Sequence, residues 1–206
     1  GLGDVYKRQS PYASVVLNIA EDHVDWHGSF ERYKADKARV YEHTQVACIF
    51  NTDHVDTLRM VENADVIEGA RAIGFSSTEM PAVSMLGLAE DIMVDRAFLK
   101  NRYNEAYELA VLEDLAPAPG KMPAKHTVEN ALAAAALCRA ADIDPKAVGA
   151  GLRSFKTGAH RNQLVGYAND IMWVNDSKAT NPHAANASMS GLPLAGVDCW
   201  RPVEGR

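Results

Sequence analysis

The polar run at residues 175–181, Asn-Asp-Ser-Lys-Ala-Thr-Asn, combines one acid, one lysine and two hydroxyls directly after an apolar stretch at residues 171–174. Lysine supplies a point charge and hydroxyls supply directional donors, so Asp176, Lys178 and Thr180 suit a ligand that bears phosphate or carboxylate groups. A strand that ends in this run would present it where open α/β sheets bind ligands. The run alone also fits an ordinary helix N-cap followed by loop residues.

Residues 21–27, Glu-Asp-His-Val-Asp-Trp-His, place carboxylates and imidazoles directly after an apolar, β-branched run at residues 13–19. Such a cluster, with His23 in it, could hold a metal ion either in a zinc hydrolase or in a magnesium-nucleotide site. A zinc site needs a further pair of histidine or cysteine ligands, and none is evident nearby. A solvated acidic loop is the remaining alternative.

Lys37 lies four residues from both Tyr33 and Tyr41, in a helix that we predict over residues 30–43 after a Ser29 cap. A lysine on such an apolar stripe usually lays its aliphatic stem along the surface and keeps its amine in water. If the amine is instead desolvated, its pKa falls and a neutral nucleophile becomes available. That amine can take up carbon dioxide and become a carbamate, an anionic ligand for a metal ion.

Two further polar residues could contact a nucleotide. Asn130, with His126 four residues before it, falls in an alanine-rich helix that we predict over residues 128–141. An asparagine amide donates and accepts at once, as an adenine edge requires. Arg161, in the pair His160-Arg161, suits bidentate contact with phosphate. Taken singly, Asn130 also fits an ordinary polar residue near a helix N-terminus, and Arg161 fits an ordinary solvated loop residue.

Alternating strands and helices must position these side chains. Apolar runs predict parallel strands at residues 13–19, 45–50 and 72–75, with helices between them. Two apolar runs around Ala89-Glu90-Asp91 predict an antiparallel hairpin inserted on this body. Past a boundary at residues 156–159, we expect a second hairpin, and then the stretch from Pro182 to Met189 begins a helix. The fold class is therefore α/β, a mostly parallel sheet flanked by helices and followed by the start of a second α/β domain.

Composition excludes several classes of partner. The net charge of −6, without clustered Lys and Arg beyond Lys7-Arg8, argues against nucleic acid. Three isolated cysteines favour a reducing cytoplasm over a disulfide scaffold. The longest apolar stretch, residues 131–141, is too short to span a bilayer, so we expect no membrane insertion. Residues 1–9 resemble a non-native cloning scar and the tail after Asp198 completes no element, so we expect a fragment of a longer protein.

The order of these runs along the chain resembles that of the Mur ligases, over roughly residues 10–194. The matching segments are Leu17 to Asp25, Tyr33 to Lys37, His126 to Asn130, His160-Arg161 and residues 175–181. The last is most similar to the family member that adds D-glutamate to UDP-N-acetylmuramoyl-L-alanine in peptidoglycan precursor synthesis. The resemblance implies a central ATP-binding domain at residues 10–157 and the beginning of a truncated C-terminal domain at residues 158–206.

The same resemblance implies an ATP-dependent ligase. A substrate carboxylate would attack the γ-phosphate, the amine of D-glutamate would attack the resulting acyl phosphate, and Mg²⁺ would stabilise charge on the phosphoryl oxygens. The implied roles are catalysis and metal binding for His23 and for Lys37 as a carbamate, the adenine side for Asn130, the nucleotide phosphates for Arg161, the ribose for Asp176, and the substrate side for Lys178 and Thr180.

Two parts of the family pattern are missing from the sequence: the Gly-Lys-Thr/Ser loop that cradles ATP, and the glutamate that completes the metal site. We therefore expect these 206 residues alone to be inactive. Folylpolyglutamate synthase, with the same acyl-phosphate chemistry, is a competing interpretation that the 175–181 run disfavours. A non-catalytic nucleotide-binding module is another, and a complete gene without the ATP loop would support it.

Overall fold

The computed structural model describes residues 10–21, 24–116, 122–169, 171–180 and 182–189. The chain divides at Lys156–Thr157 into two compact units. The predicted leader at residues 1–9 and the predicted tail after Asp198 lie outside the described residues. The assignment of the two units to a central ATP-binding domain and the start of a C-terminal domain stays a prediction.

The first unit is built on a six-stranded sheet whose strands follow chain order. They are β1 (Ala13–Val16), β2 (Ala47–Asn51), β3 (Arg71–Phe75), β4 (Met85–Ala89), β5 (Ile92–Asp95) and β6 (Tyr107–Val111). Strands β1 to β4 are parallel, and β4 to β6 are antiparallel. The predicted hairpin is confirmed as β4–β5. It is not inserted on the body, because β4 pairs with β3 and continues the main sheet.

Helices flank this sheet, as the alternating pattern predicts. They are α1 (Val24–His27), α2 (Phe30–Ala38), α3 (Val55–Glu62), α4 (Lys125–Ala140) and α5 (Pro145–Ser154). The helix predicted to reach His43 ends at Ala38, because Arg39–Tyr41 tighten into a 3₁₀ turn. None of the described helices is long and apolar enough to cross a membrane.

Strand β2 separates two apolar cores. All five of its residues are buried, as expected for a parallel strand covered on both faces. Because side chains alternate along a strand, Ala47 and Ile49 belong to the core that contains the alanines of α4, whereas Cys48 packs with Tyr41 and Met60 on the other face. The small alanine side chains let α4 lie close to strands β1 to β4.

The second unit contains an antiparallel hairpin of β7 (Gln163–Ala168) and β8 (Ile171–Asn175), followed by helix α6 (Pro182–Met189). The hairpin and the helix are both confirmed. Asn169 occupies the left-handed region at the turn, with φ of 51°, a conformation that asparagine tolerates better than most residues. The strand, polar run and helix at residues 171–189 therefore occur in the order that the sequence predicts.

Candidate functional site

In the second unit, the polar run after β8 is bonded to the loop that precedes β7. The N–H of Asn162 donates to Asp176 Oδ1 at 3.0 Å. The N–H of Lys178 donates to the carbonyl oxygen of His160 at 3.1 Å. Arg161 therefore lies between two residues that are tied to the run, and the structure brings together three predicted site residues, Arg161, Asp176 and Lys178.

The backbone on both sides of Arg161 is strained. His160 and Asn162 have φ of 65° and 46°. This left-handed conformation costs roughly 1–2 kcal/mol for most residues with a Cβ atom, and less for asparagine. The side chains of Asn175 and His160 meet at 3.0 Å and hold this loop in place. The Arg161 side chain is exposed, so the loop presents a guanidinium that can contact an anion. Strain of this kind concentrates at functional sites.

Asp176 differs from Lys178 and Thr180 in its surroundings. Asp176 is half-buried, and Ser188 of α6 donates its hydroxyl to Asp176 Oδ2. This contact ties α6 to the run. The side chains of Lys178 and Thr180 are exposed, so a cation and a hydroxyl stand beside an anchored carboxylate. Asn181 lies outside the described residues.

In the first unit, α2 places Lys37 on the surface. Tyr33 and Tyr41 are buried, at 8% and 0% exposure, but Lys37 is exposed, with its Nζ atom 5.4 Å from the centre of the Tyr33 ring. This geometry matches the interpretation in which the lysine stem covers the tyrosine and the amine stays in water. The amine is not desolvated here, and its role as a carbamate stays a prediction.

Two side chains of types that can bind metal ions, His27 and Asp36, contact each other in the first unit. His27 Nδ1 is 2.7 Å from Asp36 Oδ2, and the His27 ring packs edge-on against Tyr33 at 5.1 Å. The predicted metal ligand, His23, lies outside the described residues. Among the residues that the structure describes, no group of three His, Cys, Asp or Glu side chains could hold a metal ion. The magnesium site therefore stays a prediction.

Asn130 is an exposed residue on the second turn of α4, and the residue before it, Glu129, is buried at 8% exposure. The start of α4 meets a polar network that sequence analysis missed. Asp53, just after β2, accepts hydrogen bonds from the hydroxyls of Ser76 at 2.7 Å and Thr78 at 2.8 Å, just after β3. The sequence signal that could have predicted this network is the one that marked residues 175–181, a polar run directly after a strand.

The comparisons identify the family of this fold. The family model for the Mur ligase middle domain matches residues 1–138. The chain belongs to the Mur ligase family. The resemblance inferred from the order of the motifs is confirmed, and so is the expected α/β architecture of a Mur ligase central domain.

Among curated Mur ligases, the chain is similar to proteins named UDP-N-acetylmuramoylalanine–D-glutamate ligase. It is 52% identical over 184 residues to the protein from Leifsonia xyli subsp. xyli, covering 89% of this chain and 35% of that protein. It is 49% identical over 179 residues to the protein from Streptomyces avermitilis, covering 87% of this chain and 37% of that protein. The chain thus spans about a third of the length of these relatives.

Solved structures of Mur ligases share the fold at lower identity. A UDP-N-acetylmuramoyl-L-alanyl-D-glutamate–2,6-diaminopimelate ligase matches with a TM-score of 0.61 and 18% identity, covering 90% of this chain and 36% of that chain. MurF from Acinetobacter baumannii matches with a TM-score of 0.58 and 16% identity, covering 86% and 36%. At this identity the likeness establishes the fold alone.

Proposed function

We propose that this chain is part of an ATP-dependent, amide-forming ligase that adds D-glutamate to UDP-N-acetylmuramoyl-L-alanine, a cytoplasmic step of peptidoglycan precursor synthesis. The observation that carries the proposal is the 52% identity over 184 residues with the Leifsonia xyli protein of that name. Because the chain spans 35% of that relative, the activity is assigned to the complete protein.

The second unit supplies contacts to the phosphates and the ribose of ATP. Asp176 has one carboxylate oxygen bonded to the Asn162 backbone and the other to Ser188. These two contacts hold the carboxylate in place, and its remaining lone pairs can accept from a ribose hydroxyl. Arg161 is exposed on a loop whose backbone is anchored at both neighbouring residues, and its guanidinium suits bidentate contact with phosphate. In the first unit, Asn130 is exposed on α4 and offers its amide to the adenine edge.

Lys37 and His23 would hold the magnesium ion. A carbamate on Lys37 would replace a cation with an oxygen-donor anion, which is the kind of ligand that Mg²⁺ prefers. Once bound, Mg²⁺ neutralises charge on the phosphoryl oxygens. The Tyr33 ring, which lies beside both Lys37 and His27, limits the directions that the lysine stem can take.

Lys178 and Thr180 would act on the substrate side. The substrate carboxylate attacks the γ-phosphorus atom, ADP leaves, and an acyl phosphate forms. The amine of D-glutamate then attacks the acyl carbon, and inorganic phosphate leaves as the amide forms. Both anionic substrates and the tetrahedral intermediate need positive charge and hydroxyl donors, which an exposed lysine and threonine provide.

The test uses the complete protein that contains this chain. Phosphate release is measured with ATP, Mg²⁺ and D-glutamate, with UDP-N-acetylmuramoyl-L-alanine or a folate as acceptor. We expect turnover with the UDP-linked acceptor only. Asp176→Ala should raise the KM for ATP by at least tenfold, whereas Asp91→Ala, at an exposed hairpin position, should not. Turnover with folate would favour the folylpolyglutamate synthase alternative, and ATP binding without any turnover would favour the non-catalytic module.

A further inference from the structure

Helix α4 begins without a side-chain cap of its own. Its N-cap residue is Ala124, whose methyl side chain cannot accept a hydrogen bond; only the Ala124 carbonyl oxygen accepts, from the backbone N–H groups of Thr127 and Val128. The first four backbone N–H groups of a helix lack partners within it, and a Ser, Thr, Asp or Asn at the N-cap usually satisfies one of them and orients the first turn. The direction of α4, and with it the placement of Asn130, must therefore depend on contacts from other parts of the chain.

The first of these contacts joins the two loops that follow β2 and β3. The Ser76 hydroxyl donates to Asp53 Oδ1 and accepts from the backbone N–H groups of Thr78 at 3.0 Å and Glu79 at 2.9 Å. Burial alone would raise the pKa of Asp53, but the hydroxyls of Ser76 and Thr78 and the charge of Lys125 outweigh it and hold the pKa below its ordinary value. Asp53 is therefore a fixed anion that shapes the loop after β3.

The second set of contacts joins these loops to α4. The Ser77 hydroxyl lies 3.4 Å from both Asp53 Oδ2 and Glu129 Oε1, and it can donate to one of them at a time. The Lys125 amine lies 3.7 Å from Asp53 Oδ2 and 3.5 Å from Glu129 Oε1. A carboxylate buried as deeply as Glu129 is costly unless it is paired. Glu129 is thus held from two sides, by the loop after β3 and by the first residue of its own helix.

We propose that Glu129 is a positioning residue for nucleotide binding. Through Ser77 and Lys125 it sets the start of α4 against the carboxyl ends of the parallel strands, and Asn130 is the next residue in the chain. A rotation of the helix that moves Glu129 out of this network turns Asn130 away from its position. The proposal rests on the proposed function, because it takes Asn130 as a contact to the adenine of ATP.

The decisive experiment measures ATP affinity in the complete protein by titration with a non-hydrolysable ATP analogue. Glu129→Ala should weaken the affinity about tenfold, equivalent to about 1.4 kcal/mol, and leave the KM for D-glutamate unchanged. Glu129→Gln keeps an oxygen for Ser77 and should lose less. Glu68→Ala, at an exposed position, is the matched control and should bind as wild type. Unchanged affinity in Glu129→Ala would overturn the proposal.

A double-mutant cycle separates positioning from general destabilisation. In an Asn130→Ala background, adding Glu129→Ala should cause no further loss of affinity, because the residue that it positions is gone. Additive losses would overturn the proposal. If Glu129→Ala unfolds, Ser77→Ala takes its place in the cycle, with the same two outcomes.

A wild-type protein that binds the analogue but does not ligate D-glutamate would refute the proposed function and leave this titration to decide the role of Glu129.

Discussion

Arg139 of α4 donates its Nε–H to Asp95 Oδ2 of β5 at 2.9 Å, and both side chains are buried, at 6% and 0% exposure. Asp95 Oδ1 also accepts the backbone N–H groups of Ala97 at 2.7 Å and Phe98 at 2.9 Å. The remaining guanidinium nitrogens of Arg139 donate to the carbonyl oxygens of Ile143 and Phe98. This fully bonded pair ties the end of α4 to the antiparallel part of the sheet.

Removing the arginine should therefore destabilise the first unit strongly. In Arg139→Met, the Asp95 carboxylate stays buried without its cation, and the free energy of unfolding should fall by about 3–5 kcal/mol. Arg153→Ala removes a half-exposed arginine whose Nη1 atom is 3.8 Å from Asp114, and it should cost at most about 1 kcal/mol. Urea unfolding followed by circular dichroism measures both. Equal losses in the two variants would contradict this role of the buried pair.

Replacing each of two glycines on α5 with alanine should change the free energy of unfolding in opposite directions. A Cβ atom at Gly149 would overlap the carbonyl oxygen of Leu109 in β6, whereas a Cβ atom at Gly151 meets nothing within 4 Å. Gly149→Ala should cost about 1–3 kcal/mol because helix and strand must separate. Gly151→Ala should stabilise by about 0.5–1 kcal/mol because alanine loses less backbone entropy. Melting temperatures of the two variants test this difference in sign.

Tyr41 should be sensitive to the loss of one oxygen atom. Its hydroxyl donates to the carbonyl of Ile49 at 2.6 Å and accepts the N–H of Val16 at 3.0 Å, and burial raises its pKa. Tyr41→Phe leaves two buried backbone groups unpaired and should lower the free energy of unfolding by about 1–3 kcal/mol. Tyr103→Phe, at 67% exposure, should change it by less than about 0.5 kcal/mol. An unchanged free energy of unfolding in Tyr41→Phe would contradict this role of the hydroxyl.

The stability that Asp53 contributes should depend on pH in a defined direction. Its pKa is lower in the folded chain than its ordinary value, so its contribution is fully present above about pH 4 and is lost as pH falls through the folded value. The difference in unfolding free energy between wild type and Asp53→Asn should be constant from pH 7 to about 5 and shrink below about 4. Ser76→Ala removes a donor to the carboxylate and should move this decline to higher pH. If the difference in unfolding free energy grows on acidification, the pKa of Asp53 is not lowered by folding.

Replacement of Lys37 tests the carbamate. Lys37→Ala in the complete protein should lower ligase activity, and short-chain carboxylates should partly restore it by supplying the missing oxygen donors. Lys34→Ala, on the same helix, removes an amine bound to Glu31 at 2.8 Å and should show no such rescue. Activity at the wild-type level in Lys37→Ala would remove the carbamate from the mechanism.

Some features of the fold follow from short-range patterns in the sequence. Apolar runs predicted β2 and β3, and the two runs around Glu90 predicted the β4–β5 hairpin. Polar residues at the end of β8, with Pro182 at the first position of the next helix, predicted that α6 begins at Pro182, as the structure shows. Strand β6 was missed, because two of its five residues, Leu109 and Ala110, are buried while Tyr107, Glu108 and Val111 are exposed.

The sequence by itself determined the alternation of strands and helices, the family, and the residue types that could bind a nucleotide, because each depends on neighbours in the chain. Only the tertiary structure decided that the hairpin extends the main sheet and that Lys37 is exposed while Tyr33 and Tyr41 are buried. It also decided that Asp53, Ser77 and Glu129 meet at the start of α4. These three residues come from separate elements, and their contacts follow from the parallel pairing of β2 with β3 and the packing of α4 on them, which no local pattern specifies.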